Sequence, residues 1–348
     1  MEDLTEIQKK QNTELVNCTF VRTILMLSVV LYHSILYWGG NWFVGEPVFS
    51  SRLLSVLADW MNTFHIYAFT LVSGYLFCFL KVENGKYGKI VPFIKNKVFR
   101  LLVPYAFVLF LWVVPFSYVF NGEVNIVNNI LLGINPAQLW FLLMLFWVFI
   151  IFRLLADFFE KHTLLGAFVV LGFYGVSIIG AMLVPNMLQI WRGFGYLIFF
   201  WIGFKIRQFP ISIVRGIPSF VWGVAHTGLF VLVELVSGYD STLTKIGVIP
   251  LKLALYVCGA ISAFVVLQRI ATKVNWYKNK IFLLFSKNSM PIYLFHQQIV
   301  YIFVYLLNGV VNPYVNSLVN FVAATGISLL ISVVLMRFKT TRFLIGEK

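Results

Sequence analysis

Arg22 and His33 stand eleven positions apart in an otherwise apolar run, VRTILMLSVVLYHS (21–34). At about 100° per residue, that spacing turns a helix through ~1100°, within ~20° of three full turns. The two side chains therefore share one face, about 16 Å apart along the axis. A guanidinium at the mouth of such a helix suits an anion, and phosphate above all. An imidazole deeper on the same face can act as a general base or take an acyl group, since its unperturbed pKa of about 6.5 fits proton transfer near neutrality.

Further polar groups fall in similar settings. His65 and His296 also lie inside apolar runs, at a depth comparable to His33. Each has a plain structural alternative, a hydrogen bond to a neighbouring helix. KNKVFRLLVPY (95–105) opens a run with Lys97 and Arg100 one turn apart on one face, a second pair of phosphate-compatible cations. Their structural alternative is anchoring at lipid headgroups. FHIYAFTLVSGYLF (64–77) carries Ser73-Gly74, a small pair that allows close helix packing. QLWFLLMLF (138–146) puts Trp140 near the start of its run, where an aromatic belt residue is expected. SKNSMPIYLFHQQI (286–299) is unusually polar: Ser286, Asn288, Ser289, Tyr293, His296, Gln297 and Gln298 cannot all face lipid. This run should line a cavity or a helix contact.

The elements that must position these groups are membrane helices. The 348 residues are 60% hydrophobic and 11% charged, with a mean hydropathy of +0.87, outside the range of soluble domains. Ten apolar segments are expected: 20–38, 54–80, 98–120, 131–153, 163–183, 191–206, 217–237, 247–268, 281–307 and 313–337. The first is too long and too polar for a cleaved signal peptide. One all-α membrane domain is expected over 1–348, with a short segment 1–19, a bundle over 20–337 and a tail, 338–348.

The net charge of +14 is distributed as a topology signal. With the N-terminus inside, the cytoplasmic segments hold 23 of the 27 Lys and Arg residues, leaving outside only Arg52, Arg192, Lys245 and Lys252. Both termini are therefore expected in the cytoplasm. A nucleic-acid role would need a soluble basic face, which the sequence lacks. Asp59 and Glu234 fall toward outer helix ends, and Glu46, Glu123 and Asp240 toward the outside, so no acid chain of a proton-coupled pump is visible. No metal site is expected, since no H-x₃-H or H-E-x-x-H spacing occurs. Cys18, Cys78 and Cys258 are odd in number and unpaired in spacing, and are expected as buried thiols.

In order along the chain, RTILMLSVVLYH, the FH…F…SGYLF of the second segment, the basic start of the third, LWFL and S…IYLFHQ resemble acyltransferase family 3. These are bacterial membrane O-acyltransferases of surface polysaccharides, and the second segment is most like the sugar O-acetylase branch. The resemblance spans residues 16–340. It departs in having Lys97 where the family often has arginine, and Tyr67 where the sugar branch often has proline. No fused hydrolase-like domain is expected.

The resemblance implies an acetyltransferase in the bacterial cytoplasmic membrane. Its donor would be cytoplasmic acetyl-CoA, with no permanently bound cofactor. Its acceptor would be a hydroxyl of a surface polysaccharide, capsule or exopolysaccharide, or of a lipid-linked precursor. Arg22, Lys97 and Arg100 would hold the donor. His33, as base or as acyl carrier, would act with His65 and Ser73. Trp140, Asn288, Tyr293 and His296 would bind substrate. The sequence leaves two competitors: a flippase for lipid-linked sugars, and an acyl-transferring subunit serving a separate acetyltransferase. It leaves a homodimer open.

Overall fold

The computed structural model describes residues 2–40, 45–121, 125–209, 216–239 and 242–347. Glu123 and Asp240, expected on the outer side, lie outside the described residues. Helices with short connections make up the described residues, and no strand occurs among them. Among the described residues, ten helices are long and apolar enough to cross a membrane. They are α1 (Asn12–Gly39), α2 (Arg52–Glu83), α3 (Ile90–Phe120), α4 (Ala137–Lys161) and α5 (Thr163–Leu183), followed by α6 (Met187–Gln208), α7 (Ser219–Ser237), α8 (Ile246–Lys273), α9 (Ser289–Leu307) and α10 (Pro313–Leu335). Each expected segment appears as a helix, and the fold is that of an all-α polytopic membrane protein.

Some boundaries differ from the hydropathy reading. The fourth helix starts at Ala137 rather than 131. The ninth segment, expected to be continuous over 281–307, is two helices: a short amphipathic one, Lys280–Lys287, and α9. Asn288 makes the joint. Lys81 pairs with Asp157 at 2.5 Å and Glu160 at 3.5 Å at the end of α4. Cys18 and Cys78 are buried as expected, but Cys258 is only half-buried; all three are free thiols.

Arg22, in the first half of α1, and Glu347, in the tail, line the same cavity at one face of the bundle. We call this the terminal face and the opposite one the far face. α2 and α9 are the most enclosed helices, with 61% and 67% of their most apolar stretches buried, against 17% for α5 and α7. The polar side chains of α2 and α9 thus face protein, while α5 and α7 present Phe168, Ile179, Phe220 and Val224 outward.

Three local irregularities shape the interior. α2 breaks at Thr63 and Phe64, between helical runs Arg52–Asn62 and His65–Cys78. The Thr63 hydroxyl bonds the Trp60 carbonyl at 2.6 Å, competing with the backbone ladder. α3 contains two widened π turns, Val98–Leu102 and Leu109–Val113. Each lies just before a proline, Pro104 or Pro115, which has no N–H to offer the carbonyl four residues back. The preceding N–H, of Val103 or Val114, reaches five residues back instead, to Val98 and Leu109. The first widened turn carries Arg100 and directly follows Lys97.

α2 and α6 cross with backbones in contact. A Cβ on Gly74 would lie 1.9 Å from the Phe200 carbonyl oxygen, and one on Gly203 would lie 1.9 Å from that of Leu71. Backbone cannot yield as a flexible side chain can, so Gly74→Ala or Gly203→Ala must separate the helices. An overpacking cost of about 1–3 kcal/mol or more is expected. Gly172→Ala on α5, where a Cβ meets nothing within 4 Å, is the control. Thermal unfolding of the detergent-purified protein should show a lowered midpoint for the first two variants and none for the control.

Candidate active site

A cavity of about 1250 Å³, counting its open mouth, enters from the terminal face between α1, α2, α3, α4 and α9. Helix periodicity explains its walls. Arg22, Met26 and Val29 of α1 follow a spacing of four and three, and the same stripe continues to His33. Ile66, Phe69, Ser73, Leu76 and Leu80 form the matching stripe on α2. α4 adds Phe141, Leu142, Leu145 and Phe149, and α9 adds Ser289, Met290 and Tyr293.

The mouth is cationic. Arg22, Lys97 and Arg100 all line it, so the three expected phosphate ligands come together. Among the described residues none has a carboxylate within 4 Å. The Arg22 guanidinium lies 5.9 Å from the centre of the Phe69 ring. Lys97 is buried, its Nζ 3.3 Å from the centre of the Phe149 ring, with Phe93 at 5.3 Å and Tyr87 at 5.6 Å. This aromatic cage satisfies an ammonium without a counter-ion.

Glu347 also lines this mouth, a neighbour that the apolar pattern gave no reason to expect. Gly346 (φ +76) lets the tail turn against α3, where a Cβ would meet Pro104 at 2.7 Å and the Arg100 carbonyl at 3.1 Å. Burial pushes the Glu347 carboxyl above its ordinary value, against the opposing pull of Arg100 and Arg22.

At its inner end the cavity reaches Val29, Ile66 and Tyr293, beside the histidines. His296 Nε2 lies 3.1 Å from His33 Nδ1. The backbone fixes the tautomers, because a carbonyl oxygen can only accept. His296 Nδ1 lies 2.7 Å from the Tyr293 carbonyl and therefore carries a proton, leaving Nε2 as an acceptor. His33 Nδ1 faces two acceptors, the Val29 carbonyl at 2.9 Å and His296 Nε2, so it donates. In the neutral ring the His33 lone pair is then on Nε2. His65 is held likewise, Nδ1 donating to the Met61 carbonyl at 2.5 Å below the break in α2. Tyr32 bridges the group, its ring centre 5.0 Å from that of His33 and 4.9 Å from that of His65.

The remaining expected residues separate. Ser73 lines the cavity but donates to the Phe69 carbonyl at 3.0 Å. Tyr293 lines it too, its hydroxyl bound to the Gln138 carbonyl. Asn288 is not in the cavity. It is buried, its Nδ2 donating to the Leu284 carbonyl at 2.7 Å and its Oδ1 accepting from Ser332 at 2.6 Å, so it ties the joint before α9 to α10. Trp140 faces a second cavity, of about 910 Å³, on the far face. Asn135, Ala137, Gln298, Tyr301 and Arg192 line it with Trp140. Gln138, which the sequence reading passed over, stands between the cavities and exchanges hydrogen bonds with Gln298 at 2.8 and 3.1 Å. Its position just before LWFL was the available signal.

The sequence model of acyltransferase family 3, an acyltransferase domain, matches residues 17–337. The chain belongs to that family. It is a multi-pass membrane acyltransferase, and the ten helices and buried histidines belong to that matched span. No curated protein and no solved structure matches the chain.

The acyltransferase's cationic mouth already faces one carboxylate, so an anionic ligand must compete with Glu347. As pH falls through the raised pKa of Glu347, its charge is lost and the affinity of the mouth for an anion rises. Glu347→Gln should bind ADP, as a phosphate probe, several-fold more tightly than wild type at neutral pH, and the rise on acidification should be smaller than in wild type. Calorimetric titration of the purified protein between pH 5 and 8 checks both.

Proposed function

We propose that the protein transfers an acetyl group from cytoplasmic acetyl-CoA to a sugar hydroxyl of a surface polysaccharide or its lipid-linked precursor. The terminal face is the cytoplasmic one in this reading, as the basic bias of its loops supports. The single observation that carries it is the cavity from three cations to the His33–His296 pair, with a second cavity opposite. The donor's phosphates rest on Arg22, Lys97 and Arg100. Its pantetheine arm follows the apolar walls made by Met26, Phe69 and Leu145 toward His33.

His33 Nε2 takes the proton from the acceptor hydroxyl as the oxygen attacks the thioester carbonyl. The carbon–sulfur bond then breaks, and the proton passes to the leaving thiolate. The products are an acetyl ester and free CoA. His296 Nε2, accepting from His33 Nδ1, holds the ring in this tautomer and steadies the imidazolium that forms. His296 is thus a positioning residue. His65, with Nδ1 donating to the Met61 carbonyl, turns a lone pair rather than an N–H outward at Nε2. The hydroxyls of Ser73 and Tyr293 are the donors available to the oxyanion once each releases its carbonyl.

The test uses membrane vesicles carrying the cognate glycan, supplied with acetyl-labelled CoA, at matched protein levels. His33→Ala should lower transfer by about a hundredfold or more, the usual scale for a lost acid–base group. Arg22→Ala and Arg100→Ala should each raise KM for acetyl-CoA by roughly tenfold, with transfer recovering at high donor. His296→Gln, which keeps an acceptor near the Nε2 position, should outperform His296→Leu in kcat. Equal glycan labelling by wild type and His33→Ala would overturn the mechanism.

A further inference from the structure

The far-face cavity has a feature that transfer to a neutral sugar does not require. Arg192 stands among its lining residues with its guanidinium 4.6 Å from the centre of the Trp140 ring. It is one of only four Lys or Arg residues outside the six basic segments, and the one of those four that lines this cavity. The topology bias that places the other cations therefore does not account for it. Among the described residues no carboxylate lies within 4 Å of it. Its one hydrogen bond there runs from Nη1 to Gln189 Oε1, at 3.0 Å. A guanidinium has five N–H donors, so most of its capacity remains for a ligand.

The backbone around it is strained. Ala137 (φ 48°), Leu188 (φ 49°) and Gln189 (φ 61°) are the only non-glycine residues with positive φ among the described residues. Ala137 lines this cavity, and Gln189 bonds two of its lining residues, Ile134 and Arg192. Such conformations are costly for residues with a Cβ and persist only where the surroundings enforce them. Here the enforcement is a weld between two loops. Gln189 is fully buried and its Nε2 donates to the Gly133 and Ile134 carbonyls at 2.7 and 2.8 Å. Leu188 N–H bonds the Leu132 carbonyl at 2.7 Å. With Nε2 so engaged, Gln189 Oε1 is left to accept from Arg192 and, at 3.1 Å, from Asn186 Nδ2. The strained weld thereby fixes a cation over an indole face, at the edge of a water-accessible cavity.

We propose that this cavity is an acceptor subsite for an acidic glycan, in which Arg192 pairs with anionic oxygens of the acceptor. Asn135 and Gln298 supply neutral hydrogen bonds to its hydroxyls. The proposal rests on the transfer reading above and names its substrate class. A sugar carboxylate and a glycosyl phosphate offer the same chemistry to a guanidinium.

The experiment compares three acceptors with purified protein and acetyl-CoA: a neutral oligosaccharide, its uronate-containing counterpart and a glycosyl phosphate. In wild type kcat/KM should favour one acidic acceptor over the neutral one by about ten- to a hundredfold, the scale of one charge-assisted contact. Whether the uronate or the phosphate gains separates the two sources. Arg192→Gln should collapse that preference toward unity through KM, and Arg192→Lys should restore part of it. Equal losses on all three acceptors would make Arg192 a part of the loop weld alone. An unchanged preference would make it a lipid-headgroup anchor. Either result overturns the proposal. Binding of glucuronate and of glucose 1-phosphate by saturation-transfer NMR, wild type against Arg192→Gln, is read separately. If wild type acetylates no acceptor, the transfer reading fails, while Arg192-dependent binding of either anion still upholds the subsite. Absence of binding overturns it.

Discussion

A carbonyl oxygen accepts hydrogen bonds and cannot donate them. Inside a bundle with little water to rearrange around it, that asymmetry decides the state of every histidine in the site. Val29, Met61 and Tyr293 each present a carbonyl to an Nδ1 atom, so all three rings carry their proton on the backbone side. His33 can then meet His296 at 3.1 Å in a donor–acceptor pair instead of a clash of lone pairs. The helices supply these carbonyls as part of their own ladders, three or four residues before each histidine. Their register is therefore part of the chemistry, and a side chain placed one residue along would lose its carbonyl partner and its direction together.

The same economy governs the cations. A buried positive charge needs compensation, and this chain has 13 acids against 27 Lys and Arg residues. Structural cations receive the acids: Arg207 takes Glu83 in a two-pronged pair at 2.5 Å, and Lys81 takes Asp157 and Glu160. At the cavities, aromatic faces take their place, Phe149 under Lys97 and Trp140 under Arg192. An aromatic face steadies a cation without consuming its hydrogen bonds, which leaves the charge usable by an anionic ligand.

The ten spans and the Arg22–His33 stripe were legible because each depends on periodicity within a single helix. Gly74 was legible as a small residue at a helix contact, although only the structure shows the backbone it meets. Asn288 misled because composition cannot separate a polar residue that faces a cavity from one that closes a helix joint; its partner, Ser332, is 44 positions away. The Arg192–Trp140 stack was hidden for a stronger reason. It depends on left-handed conformations at Leu188 and Gln189, residues with no sequence tendency toward them. The weld to the 132–134 carbonyls imposes that conformation from outside. Glu347 escaped notice because its role arises from tail packing against α3, which leaves no periodic trace.

The partition between the cavities bears on how an acyl group would cross. On α4 it is one residue thick, since Trp140 faces the far cavity and Phe141 the terminal one. On α9 it runs from Tyr293 to Gln298, about 7.5 Å along the axis, with His296 between. A covalent relay through His33 would carry the acetyl group across by turning the ring. That motion breaks both contacts of Nδ1, to Val29 and to His296, at the moment the ring must stay aligned. Direct transfer asks instead that the Tyr293–Gln138 hydrogen bond part, a neutral bond with a net contribution of about 1 kcal/mol. Parting it frees the Tyr293 hydroxyl to donate to the oxyanion. For the transfer proposed above, the hydrogen bonds therefore favour a direct reaction across an opened latch, with His33 as base, over an acyl-histidine intermediate.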